Sequence, residues 1–107
     1  MSEYTIVMST TDTEEEAKRL ARGAVEKKLA ACVQVTTVNS TFFWDGKVDE
    51  AAEYLLLFKT TAAGATELQK FIETTHSYDV PEILHLPVIA GHAPYLEWMN
   101  ANVQVGS

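Results

Sequence analysis

Between residues 30 and 61 the chain alternates and clusters apolar residues in the manner of one long β-hairpin. Its first arm opens Ala30-Ala31-Cys32-Val33-Gln34-Val35, and its second closes Glu53-Tyr54-Leu55-Leu56-Leu57-Phe58-Lys59-Thr60. Asp45-Gly46 lies between the arms, and both residues of a two-residue hairpin turn need φ > 0, which Asp and Gly tolerate. With that pair as the loop, Trp44 faces Lys47, Val35 faces Leu56, Val33 faces Phe58 and Cys32 faces Lys59. One face then carries Ala31, Val33, Val35, Tyr54, Leu56 and Phe58, an apolar surface for helices to cover. The other carries Cys32, Gln34, Thr36, Leu55, Leu57 and Lys59, and it is half apolar.

The segments on either side fill in a fold. Tyr4 to Thr10 is a run of β-branched and apolar residues that predicts a strand. Ala17, Leu20, Ala21, Ala24, Val25 and Leu29 then recur at three- and four-residue spacing, which predicts a helix with one buried stripe. Thr13 with Glu16 has the form of a capping box, Glu14 to Glu16 suit the helix start, and Lys27 and Lys28 suit its end. After the hairpin, Ala63-Gly64 predicts a break and Leu68, Phe71 and Ile72 a second helix from about 65 to 75. A loop, His76 to Pro81, leads to a strand over 82–89, a turn at Gly91 and Pro94, and a short helix over 95–101. Val103-Gln104-Val105 is a candidate edge strand. The order βαββαβ is the split βαβ pattern of a single α+β, ferredoxin-like domain spanning 1–107, an antiparallel sheet with a long hairpin and a short C-terminal helix. In that topology the first and third strands are central, in keeping with Tyr54 to Phe58 being apolar throughout.

Composition narrows the partners. The 107 residues include 15 acidic and 8 basic side chains, a net charge of -7. That balance repels phosphate backbones and anionic lipid, so nucleic acid and membrane are excluded as expected partners. The polar start and short first apolar run predict no leader or span, and a single cysteine permits no internal disulfide; both fit a cytoplasmic protein.

Geometry predicts assembly. Helices cover one sheet face in this architecture, so Leu55 and Leu57 on the other need a cover from another chain. Each hairpin arm of about 15 residues spans roughly 50 Å, whereas a compact domain of this size has a radius of gyration near 13 Å, to within about an ångström. The hairpin must therefore bend at a bulge or project. Its outer part holds Phe42, Phe43 and Trp44, aromatic residues of the kind buried between subunits. A homo-oligomer joined through Phe42, Phe43, Trp44, Leu55 and Leu57 is the expectation.

Candidate chemistry is sparse. Cys32 is the only thiol and faces Lys59; it suits a soft metal, and equally a small buried strand residue. His76, His85 and His92 lack the spacing of a helical or finger-type zinc site. Glu50, Glu53, Asp79 and Glu82 are carboxylates near the hairpin or loop, without a nucleophile elbow, catalytic triad pattern or glycine-rich phosphate cradle beside them, so no enzyme is expected. Trp44, Tyr78, Tyr95 and Trp98 suit either a ligand cleft between subunits or interface packing.

Read together, Leu29-Ala30-Ala31-Cys32-Val33, Ser40 with Phe42-Phe43-Trp44-Asp45-Gly46, Leu57-Phe58-Lys59-Thr60, His76-Ser77-Tyr78-Asp79-Val80-Pro81-Glu82-Ile83, Leu86-Pro87-Val88 and Tyr95-Leu96-x-Trp98 resemble the ordered motifs of the CutA family of divalent-cation tolerance proteins. The resemblance implies a homotrimer of ferredoxin-like subunits, similar in architecture to PII signalling proteins, that binds copper and other divalent ions. It implies Cys32, His76 and the carboxylate of Glu82 as metal ligands. The PII likeness implies an alternative, a small anionic metabolite or nucleotide in an intersubunit cleft bounded by Lys59, Glu53, Tyr78, Asp79 and Trp98. A trimeric scaffold for another protein is a further alternative. The chain departs from the family pattern at Ser77, where Pro is usual and the loop is expected to loosen, at Asp79 for Glu, and at Phe42 for Tyr.

Overall fold

The computed structural model describes residues 3–104. Strand β1 (Tyr4–Thr11) is followed by helix α1 (Glu14–Glu26), the hairpin strands β2 (Cys32–Trp44) and β3 (Lys47–Thr61), helix α2 (Ala62–Thr75), strand β4 (Leu84–Val88) and helix α3 (Ala93–Ala101). The four strands form one antiparallel sheet in the order β2-β3-β1-β4, with β1 and β3 central as the split βαβ pattern requires. Val103 and Gln104 belong to no strand, and Val105 lies outside the described residues.

Asp45 (φ 52°) and Gly46 (φ 79°) both take the left-handed conformation that the tight turn demands. Every β2–β3 pair from Trp44–Lys47 to Cys32–Lys59 follows from that turn without a slip, so the hairpin contains no bulge. It projects instead, and the molecule is 44 Å along its longest axis against 25 and 20 Å across.

Helices α1 and α2 lie on one face of the sheet. Ala17, Leu20 and Ala24 of α1 and Leu68 and Ile72 of α2 are buried against Val7, Leu56 and Phe58. Two residues expected on this apolar surface are exposed: Val25, at the last turn of α1, and Val35, on the edge strand β2. Gly23 shows how closely the helices approach, because a Cβ there would stand 2.8 Å from the Phe71 ring.

Helix ends depart from the local signals in two places. Helix α2 starts three residues before the predicted point: the Thr61 hydroxyl accepts from the Gly64 amide and caps it. Gly64 is a helix residue with Val103 against it, and a Cβ would meet that side chain at 2.8 Å. At the end of α1, the Lys28 amide donates to Val25 and the Leu29 amide to Ala24, the paired bonds of a Schellman stop, with Lys28 at φ 61°. Lys27 and Lys28 thus lie in the stop itself and not in the last helical turn.

The opposite sheet face has no helix along most of its length. Ile6 and Met8 of β1 and Leu55 and Leu57 of β3 are half-buried there, and Leu84 and Leu86 of β4 are exposed. Among the described helices α3 reaches this side, where Tyr95 meets Lys59. At the hairpin tip Phe43 is 75% and Trp44 68% exposed, with Phe42 beside them.

Candidate functional site

The buried polar groups converge where β1 ends. His76, at the C-terminus of α2, is enclosed with no exposed side-chain surface. Its Nε2 lies 2.6 Å from the Thr10 carbonyl oxygen, and its Nδ1 is 3.0 Å from the Tyr78 amide nitrogen. A carbonyl only accepts and an amide N–H only donates, so the ring is the neutral Nε2–H tautomer with its Nδ1 lone pair already taken.

The next residue is held as firmly. The Ser77 amide donates to one Glu16 carboxylate oxygen at 2.8 Å and the Ser77 hydroxyl to the other at 2.6 Å. Burial pushes the Glu16 carboxyl up, but the two Ser77 hydrogen bonds, with the Arg19 charge nearby, outweigh it and hold the group below the usual carboxylate range. Thr13 does cap α1 by accepting from the Glu16 amide. The Glu16 side chain, however, leaves the helix start for a loop 61 positions away, so the capping-box reading is half correct. Serine in place of proline does not loosen the loop as expected, because its hydroxyl and amide supply both bonds to Glu16.

Tyr78 carries the network to the hairpin. Its ring lies 4.7 Å from His76 and its phenol donates to Glu53 at 3.2 Å. Glu53 is the residue next to Tyr54, the last β3 partner of β1, so Tyr78 closes around the end of that strand. Burial, then the charges of Glu53 and Asp12, push the phenol from 10.0 up to about 12. Glu53 also borders a cavity of about 140 Å³ with Thr37, Val38, Asn39, Ala52 and Tyr54. That is below the roughly 300 Å³ at which small-molecule pockets begin.

A second cluster stands at the other end of the sheet. The Lys59 ammonium is 3.4 Å from the Tyr95 hydroxyl and 5.5 Å from its ring centre, and the rings of Tyr95 and Trp98 are 5.5 Å apart. Cys32, half-buried, pairs with Lys59 across the strands. The residues expected to bound one cleft are therefore divided on a single chain: Glu53 meets Tyr78, while Lys59 and Trp98 stand apart from them and Asp79 is exposed.

The expected metal ligands are separated too. Cys32 lies in the row of Lys59, Ile6 and Leu86, whereas His76 bonds Thr10, four residues or roughly 13 Å farther along β1. Glu82 is exposed just before the opposite edge strand, so three interstrand steps, on the order of 14 Å, separate it from Cys32. Among the described residues no three His, Cys, Asp or Glu side chains are grouped to hold an ion. One chain's Cys32, His76 and Glu82 do not form a metal site, and the His76 nitrogens are already in use. His85 meets Gln69 at 2.8 Å, as a strand histidine with a structural partner.

Thr10 and Glu16 had no signal in the sequence as neighbours of His76, nor Ser77 as the partner of Glu16. Helix α3 is short, α2 has 14 residues, and among the described residues no helix is long and apolar enough to cross a membrane.

Residues 5–102 match the family model described as CutA1 divalent ion tolerance protein. The divalent-cation tolerance protein CutA of Thermus thermophilus is 40% identical over 98 residues, covering 91% of this chain and 95% of that protein. Its solved counterpart superposes with a TM-score of 0.91 at 38% identity, covering 94% of this chain and 99% of the other. The crystal structure of CutA1 from Oryza sativa gives 0.94 at 36% identity over 98% of this chain and 97% of that one. The full-length rice protein named CutA 1, chloroplastic, is 40% identical over 88% of this chain, which spans only 54% of that relative's length. The solved relatives thus share the fold over nearly the whole chain, and the chain belongs to the CutA divalent-ion tolerance family.

Proposed function

We propose that this chain is a non-enzymatic, cytoplasmic homotrimer that binds divalent cations, copper first among them, in the cell's tolerance of metal ions. The observation that carries the reading is the match of residues 5–102 to the divalent ion tolerance model. The trimer is supported by the apolar sheet face opposite α1 and α2 and by the exposed aromatic tip at Phe42, Phe43 and Trp44. Cys32 is the soft ligand, lying half-buried on that face. Glu82 and the other carboxylate donors reach it from a neighbouring subunit, because a single chain keeps them apart. A reducing compartment suits a protein whose one thiol must stay free to bind.

Copper(II) and zinc titration by competition with a chromophoric chelator tests this reading. Cys32→Ser is expected to weaken copper at least tenfold, with sedimentation unchanged; equal affinity in both proteins removes Cys32 from the site.

The Lys59, Tyr95 and Trp98 cluster favours a second reading, in which a trimer cleft takes a small planar anion against a cation and two neighbouring, tilted rings. A thermal-shift screen with nucleotides and organic acids separates the two, since a ligand bound to the folded state raises the midpoint as its concentration rises.

A further inference from the structure

The loop that follows α2 is tied down at each of its first three residues, to three different elements. His76 bonds Thr10 of β1, Ser77 bonds Glu16 of α1, and Tyr78 bonds Glu53 of β3. The imidazole is the keystone of this arrangement, because it also accepts from the Tyr78 amide and lies against the Tyr78 ring. Both ring nitrogens are occupied by the chain's own backbone, and no side-chain surface of His76 reaches solvent.

We infer that His76 is a latch and not a standing metal ligand, so that capture of its ring by a cation and closure of the loop onto the hairpin are alternatives. Coordination at Nδ1 must displace the Tyr78 N–H. Coordination at Nε2 must give up the Thr10 carbonyl and expel the ring hydrogen to solvent. Neither can occur in the enclosed state. Either one removes an anchor of Tyr78, whose phenol is the loop's contact with Glu53. A divalent ion that does take the ring is therefore reported at the base of the hairpin, the element that projects from the domain. The inference rests on the cation-binding reading only for the choice of zinc as probe; the latch itself rests on hydrogen bonds.

Long-range ¹H–¹⁵N NMR of the uniformly labelled protein reads the latch directly. His76 is expected to show two well-separated nitrogen resonances of the Nε2–H tautomer, unchanged by one equivalent of zinc. Excess zinc that moves these resonances is expected to move the Tyr78 amide in the same step. An averaged tautomer, or zinc on the His76 ring with the Tyr78 amide unmoved, overturns the inference. Tyr78→Phe removes the phenol's bond to Glu53 and keeps the backbone N–H. It is expected to retain the tautomer while zinc reaches the ring at a concentration lower by about threefold or more; an unaltered zinc response counts against the latch. Absence of all zinc and copper binding overturns the cation reading, and the tautomer then decides the latch by itself.

Discussion

Strand β3 sends Leu56, Phe58 and Thr60 to one side and Leu55, Leu57 and Lys59 to the other, and the two sets have opposite fates. The first three are wholly buried beneath α1 and α2. The second three remain half-exposed, beside Ile6 and Met8 and within reach of α3 only at Lys59. Leucine on the two faces differs in neither size nor chemistry; what differs is whether this chain supplies a cover. A sheet that is apolar on both sides and covered on one leaves a face for a second layer, and in the proposed trimer that layer is another subunit.

The largest effect is expected on the covered face. Phe58→Ala leaves a cavity that neither helix can fill and is expected to cost about 3–5 kcal/mol in urea unfolding. The matching change on the other face discriminates between a seam and a bare surface. With neighbouring subunits seated there, Leu57→Ala is expected to cost about 2–3 kcal/mol, and the wild-type melting midpoint to rise with protein concentration. A midpoint independent of concentration, together with a negligible cost for Leu57→Ala, breaks the proposed seam.

How much of this was legible in the sequence depended on the range of the interaction. The register of the hairpin followed from Asp45-Gly46 and the two-residue period alone, and every pair down to Cys32–Lys59 agrees. The covered face was legible from Leu56 and Phe58 for the same reason. Gly64 misled because local propensity reads glycine as a break, whereas Val103, far along the chain, leaves no room there for a side chain. Glu16 misled more instructively. Its spacing from Thr13 satisfies a local rule, yet its carboxylate serves Ser77, and no periodicity encodes a partner at that separation. His76 was singled out by its motif, but only the positions of Thr10 and Tyr78 show that both nitrogens are spent.

The contrast between open and covered surroundings also fixes a titration. Tyr78 ionises at about 12 because burial and Glu53 disfavour its phenolate. A raised acid favours folding while the phenol is neutral, so this contribution is complete below pH 10 and disappears as pH rises through about 12. In spectrophotometric titration near 295 nm, Glu53→Gln is expected to bring the latest-ionising tyrosine back toward 10, the ordinary value for Tyr78. An unmoved midpoint would show that Glu53 contributes little beyond burial.

The smallest expected change lies in the covered layer itself. The Ser9 side chain points toward the helices between Val7 and Thr11, is completely buried, and its hydroxyl has no hydrogen-bond partner among the described residues. A buried hydroxyl without a partner has lost water and gained nothing in return, whereas alanine keeps the Cβ and removes the unpaired oxygen. Ser9→Ala is accordingly expected to stabilise the fold by about 1 kcal/mol in urea unfolding, with an unchanged m-value. The same polar-to-alanine change at Lys70, on the exposed side of α2, replaces a group that water can satisfy and is expected to move stability by less than about 0.5 kcal/mol. If Ser9→Ala destabilises by more than that, the hydroxyl has a partner, and the layer between sheet and helices is not the dry, apolar core that separates this face of the sheet from the other.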